Sequence, residues 1–174
     1  FEKKMKKYKL FSLLVVIILF GFKQVDPYTI ITKGDLSIEY PSNWDKIDAP
    51  GYVFILKEKA TSEELSVLTN FAIEIDENYN SLKEYATFWK NKMSKNESLS
   101  NWNLISENKT KYKGFKAKEF ICTYGSGAFK FKTKVIIIVV NNKIMNLNTT
   151  SSLDSFTTKK EVIDLIYDSV KIKK

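Results

Sequence analysis

The chain has 174 residues, 44% hydrophobic and 14% aromatic, which is one domain's length with enough apolar mass for a proper core. All 28 basic residues are lysine, histidine is absent and Cys122 is the sole cysteine. That composition excludes histidine-dependent nucleophile relays, imidazole or multi-thiolate metal centres and an internal disulfide framework, and without arginine forks it argues against nucleic-acid recognition.

The net charge of +8 is spread unevenly. Residues 1–24 carry a surplus of +5, residues 25–108 carry −6 and residues 109–134 carry +7. In the first block Lys3, Lys4, Lys6, Lys7 and Lys9 precede the 13-residue uncharged run Leu10–Phe22, which Lys23 and Gln24 close. A basic stretch followed by a short apolar run is the pattern of an export signal. At about 1.5 Å per residue the run reaches roughly 20 Å, short of the roughly 30 Å bilayer core, so it suits a signal peptide better than a stable span. Gly21 is the only small residue near its end, with Leu19 two positions earlier, so an uncleaved anchor remains the alternative. Residues 1–24 are therefore expected to be a signal peptide or N-terminal membrane anchor, and residues 25–174 a single extracytoplasmic domain, secreted or tethered.

Tyr28–Thr32 and Leu36–Tyr40 flank Lys33-Gly34-Asp35 and read as a β-hairpin that Pro41 ends. Val53–Leu56 is a short third strand, and residues 57–64 are a solvated loop by composition. From Leu65 to Ile75 the odd positions Leu65, Val67, Thr69, Phe71, Ile73 and Ile75 alternate as one apolar face of a strand. Ser81 and Glu84 form a capping box that opens a helix with Leu82, Tyr85, Phe88, Trp89 and Met93 along its core stripe.

The second half reads as an antiparallel meander. Trp102–Asn108, Phe115–Tyr124, Ala128–Val140 and Ile144–Thr150 are strands joined by Lys113-Gly114, by Gly125-Ser126-Gly127 and by Asn141-Asn142. Val135–Val140 is apolar without alternation, which predicts cover on both faces of the sheet. Thr158 and Glu161 form a second capping box, opening a helix whose inner side carries Val162, Leu165, Ile166 and Val170. Cys122, beside Phe120 and Ile121, is expected to be a buried, inert core thiol. The predicted class is α+β, an antiparallel sheet flanked by helices in an α/β/α sandwich.

The unit Leu36-Ser37-Ile38-Glu39-Tyr40-Pro41-Ser42-Asn43-Trp44 resembles the strand-and-proline opening of the PsbP-like domain family. Lys113-Gly114-Phe115-Lys116-Ala117, the hairpin through Val140 and the stretch Asn146–Phe156 before a helix ending in Ser169-Val170-Lys171 resemble that family's C-terminal half. The resemblance spans about residues 27–173. It implies an antiparallel sheet between helices in a small exported or membrane-associated accessory domain. The calcium- and chloride-retaining role of the family's photosystem II member is not carried over, because this chain has no histidine for a histidine-dependent contact and nothing marks a photosynthetic host.

The constellations that suggest chemistry are thin. Glu74, Asp76 and Glu77 offer oxygens at a strand end but lack the alternating ligands and glycine of a calcium loop. Ser126 lies between two glycines as in a fragment of a nucleophile elbow, yet no histidine exists to serve as its base. Asp154, Asp164 and Asp168 are scattered near the last helix without an acid–base pairing. Lys130, Lys132 and Lys134 alternate along one strand, and Lys116 and Lys118 lie across the hairpin, which reads as one basic hairpin face. Such a row either protects a sheet edge from aggregation or docks to an anionic partner. The expectation is a non-catalytic accessory or binding domain with no catalytic residues, metal or cofactor, whose partner is a protein or an anionic component of the membrane or cell wall. A carboxylate-based metal or small-ligand binding protein is the alternative, and an enzyme with an unrecognised site is a third.

Overall fold

Two-residue connections with both residues at positive φ twist their flanking strands into tight hairpins, as at Lys113-Gly114 (50° and 85°) and Asn141-Asn142 (49° and 61°). The computed structural model describes residues 28–59, 69–127 and 129–173. Its elements run β1 (Tyr28–Lys33), β2 (Leu36–Pro41), β3 (Trp44–Ile47), β4 (Tyr52–Glu58), β5 (Asn70–Asp76), α1 (Leu82–Ser94), β6 (Asn103–Tyr112), β7 (Phe115–Ser126), β8 (Phe129–Val140), β9 (Lys143–Ser152), α2 (Leu153–Thr158), α3 (Lys160–Ser169) and β10 (Lys171–Ile172). The predicted N-terminal segment, residues 1–24, lies outside the described residues, as does most of the expected 57–64 loop.

The seven strands β3-β4-β5-β9-β8-β7-β6 form an antiparallel sheet in that order, and β1-β2-β10 form a separate three-stranded sheet. Strand β8 explains the layering. Its Val135 and Ile137 pack with Tyr85, Ala86 and Trp89 of α1 and with Phe120, Cys122 and Ile144. Its Ile136, Ile138 and Val140 pack on the other face with Phe156 of α2, Ile163 and Ile166 of α3, and Leu36, Ile38 and Tyr40 of β2. The expected two-sided cover of Val135–Val140 is present, and the fold class is α+β as the sequence indicates. The outer layer on the second face is more than helix, since the small sheet shares it.

Several local expectations shift. Trp44–Ile47 is a strand, with Trp44 buried, in a stretch to which the sequence assigned no element. The third expected strand extends to Tyr52–Glu58, so Lys57 and Glu58 are paired rather than looped. The strand expected from Leu65 is described from Asn70, and its odd residues Phe71 and Ile73 are fully buried. Ser81 caps α1, accepting from the Glu84 N–H at 3.3 Å, but Phe88 is 38% exposed and stacks on Tyr79 instead of filling the core.

The last helix is two helices. Ser152 caps α2 by accepting from the Ser155 N–H, and Thr158 ends it with its hydroxyl turned back to the Asp154 carbonyl. Helix α3 begins at Lys160 with no side-chain cap, so the Thr158–Glu161 box does not act. The inward stripe is Ile163, Ile166, Tyr167 and Val170, an i, i+3, i+4, i+7 set, whereas Val162 and Leu165 are only partly buried.

Candidate functional site

The Lys113-Gly114 turn sets the register of β6 against β7 so that Lys111 faces Lys116 and Lys109 faces Lys118. Directly opposed residues share a sheet face, and β7 alternates so that Lys116 and Lys118 lie on the same side as Phe120 and Cys122, the α1 side. Two lysine pairs are thus stacked one above the other on the outermost hairpin of the large sheet. Like charges opposed across a ladder are destabilising, so this arrangement is not what stability alone selects.

Glu107 is the local counter-charge. It bonds Lys90 of α1 at 2.6 Å and also Lys118, and those two ammonium groups hold its carboxyl below the usual carboxylate range. With Glu107 engaged, Lys83, Lys109, Lys111 and Lys116 have no ion-pair partner among the described residues. Lys83, Lys109 and Lys116 rim a shallow depression of about 480 Å³ together with Leu82 and Lys118.

The expected single basic face of five lysines does not form. Along β7 and β8 every pair joins an odd to an even position: Ile121 faces Lys134, Thr123 faces Lys132 and Gly125 faces Lys130. Lys130, Lys132 and Lys134 therefore lie on the α2–α3 side, opposite to Lys116 and Lys118. Two of them are also occupied. Lys132 sits 5.0 Å over the Phe156 ring, and Lys134 sits 4.8 Å over Tyr167 with Glu119 at 3.7 Å and Asp164 at 3.9 Å. Nor do these lysines guard an edge, because β8 lies between β7 and β9 and the sheet ends at β6 and β3.

The remaining constellations separate as well. Glu74 is half-buried toward α1, Asp76 accepts from the Asn78 N–H at 2.8 Å, and Glu77 pairs with Lys143 at 2.5 Å. No group of three or more acidic or thiol side chains able to hold a metal occurs among the described residues. Ser126 ends β7 opposite Phe129, beside Gly125, where a Cβ would fall 1.9 Å from the Phe129 carbonyl oxygen, so this glycine is demanded by the hairpin. Asp164 is tied to Lys160, while Asp154 and Asp168 are exposed. Cys122 is fully buried, and burial pushes its thiol up to about 11.

The sequence reading overlooked Lys83, Lys109 and Lys111. Ending the strand at Asn108 left 109–112 unassigned, although the lysine density there and the two-residue turn were both visible.

No family model and no curated protein matches the chain in sequence. Solved structures do match in fold. The cyanobacterial PsbP (CyanoP) of Synechocystis has a TM-score of 0.64 at 13% identity, covering 87% of this chain and 95% of its own. LpqN of Mycobacterium tuberculosis, described as involved in cell envelope biogenesis, has a TM-score of 0.60 at 12% identity, covering 85% and 91%. The Ran-binding protein Mog1p of Saccharomyces cerevisiae has a TM-score of 0.58 at 10% identity, covering 84% and 95%. This chain shares the fold of PsbP and Mog1, as its sequence resemblance implies. Among the described residues no helix is long and apolar enough to cross a membrane.

Proposed function

We propose that the chain is a non-catalytic accessory domain, exported or held at the outer face of the membrane by its N-terminal apolar segment, that docks onto anionic phospholipid headgroups through the β6–β7 hairpin. The observation that carries this reading is the pair of stacked lysine oppositions, Lys109 with Lys118 and Lys111 with Lys116. Lys109, Lys111 and Lys116, which have no ion-pair partner among the described residues, cost stability when free and recover it against a negative surface, where each lysine near the headgroups contributes about 1 kcal/mol. The lack of histidine and arginine supports a binding role over catalysis. The basic stretch before Leu10–Phe22 supports export, and the description of LpqN as an envelope-biogenesis protein is in keeping with that compartment.

The test is vesicle co-sedimentation of residues 25–174, which contain every described element. Binding to phosphatidylglycerol vesicles is expected, with loss on raising salt from about 0.1 M to about 1 M as the Debye length shrinks from about 10 Å to about 3 Å. The variant carrying Lys109→Gln, Lys111→Gln and Lys116→Gln should bind weakly at either salt. Equal binding to phosphatidylcholine vesicles, or a triple variant that binds like the parent, refutes the reading.

A further inference from the structure

A second feature lies on the α1 side of the large sheet, over β5, β9, β8 and the far end of β7 from the lysine pairs. Between α1 and the sheet is a cavity of about 200 Å³, roughly the space of seven waters at about 30 Å³ each. Its floor carries Asn146, Asn148 and Thr150 of β9, its wall Tyr85 and Trp89 of α1, and its mouth Glu74 and Lys92.

Asn146 is the anomaly. It is 3% exposed, and its Oδ1 has no hydrogen-bond partner. Its ladder partner on one side is the fully buried Ile137, and on the other it faces Glu74 directly. Opposed residues of an antiparallel pair have Cβ atoms about 4.5–5.5 Å apart, so the Asn146 amide and the Glu74 carboxyl are neighbours where the floor meets the mouth. Both present acceptor oxygens, that of Asn146 without a partner, and the Tyr85 phenol lies beside the Asn146 amide on the cavity wall. The Thr133 and Thr150 hydroxyls bond each other at 2.8 Å, and Lys92 lies 5.8 Å over the Phe88 ring rather than in an ion pair with Glu74. Burial raises the Glu74 carboxyl above its ordinary value, with Lys92 drawing it down, so this group is already partly stripped of water. Burial, with the Glu74 charge adding to it, also pushes the Tyr85 phenol up to about 12, so that ring stays neutral.

Two adjacent acceptors, one an unpartnered amide oxygen and the other a partly desolvated carboxylate, are complemented by a positively charged N–H donor. The aromatic wall favours a cation, and Trp89, Met93 and Val135 favour an aliphatic body behind it. We infer that this cavity is a binding site for a small apolar primary amine, its ammonium group held between the Glu74 carboxylate and Asn146 Oδ1. A neutral alcohol of the same shape satisfies the amide but not the carboxylate, and a carboxylate of that shape is repelled by Glu74.

The experiment is calorimetric titration of the full chain with isoamylamine, isoamyl alcohol and isovalerate, matched in shape and different in charge. Saturable binding of one equivalent of the amine is expected, at least about tenfold tighter than the alcohol, the ratio that one charge-assisted contact readily supplies. Isovalerate should not bind. Glu74→Gln, a shape-conserving change at the cavity mouth, should reduce amine affinity by about tenfold or more while the melting temperature is retained. Amine binding that equals alcohol binding, that is absent, or that survives Glu74→Gln overturns the inference.

Discussion

The Ser169 hydroxyl accepts from the Glu39 N–H and lies within hydrogen-bonding reach of the Glu39 carbonyl, both at 2.9 Å. Strand β2 pairs with β1 along its whole length, but on its other side β10 reaches only Ser37 and Leu36. One serine at the end of α3 therefore serves the main-chain groups that a missing strand residue leaves open, and it ties the last helix to the small sheet.

Removing that hydroxyl should be costly for so small a change. Ser169→Ala leaves the Glu39 N–H without its partner in a part-buried position, and a loss of about 1–3 kcal/mol is expected in denaturant unfolding. An unchanged midpoint would falsify the assignment of Ser169 as a surrogate strand partner.

The lysine oppositions predict the reverse sign. Replacing Lys109, Lys111 and Lys116 together by glutamine removes the repulsion and touches no packed group, so stability should stay within about 0.5 kcal/mol of the parent or rise. Thermal unfolding in low salt is the measurement, and a clear drop would mean the lysine stems carry packing.

Asn146 should also be a stability liability. An unsatisfied buried polar group costs about 1–3 kcal/mol, so Asn146→Val, which suits a strand and is close in volume, is expected to raise the unfolding midpoint. The same variant should lose the amine. A destabilised Asn146→Val protein would show that the amide is serving the fold.

Acid sensitivity should trace to Glu107. Its carboxyl is held below its ordinary value of 4.5 by Lys118 and Lys90, so the unfolded chain takes up the proton first as pH falls. The stabilisation is complete above that ordinary value and is lost as pH drops through the lower folded one. The melting-temperature gap between the parent and Glu107→Gln should therefore be widest near neutral pH and close in acid. A gap that stays constant with pH would rule out the ion-pair cause.

Cys122 offers a check on the α1-side core. Fully buried, with its thiol pushed up to about 11 by burial, it should react with a thiol reagent far more slowly in the native protein than in denaturant. Equal rates would mean that α1 opens readily from the sheet.

The lysine face shows how far a sequence can be read and where it stops. Taking Gly125-Ser126-Gly127 as a three-residue turn pairs even positions with even ones and gathers Lys116, Lys118, Lys130, Lys132 and Lys134 on one face. The structure instead pairs Ser126 with Phe129 and Tyr124 with Phe131, an offset of three residues, and because that number is odd it sends the β8 lysines to the opposite side. The charge density was legible, but the parity of the loop was not.

By itself the sequence determined what local chemistry decides. Positive-φ turn residues made the hairpins, Ser81 placed the start of α1, and the unbroken apolar run Val135–Val140 required a strand covered on both faces. The tertiary structure decided what depends on distant partners. Trp44–Ile47 and Lys171–Ile172 are too short to hold as strands alone and exist because β4 and β2 offer open ladders. The meeting of Glu74 with Asn146, seventy-two positions apart in the numbering, follows only from the pairing of β5 with β9. No periodicity encodes that pairing, because it is settled by which faces the sheet and helices bury together.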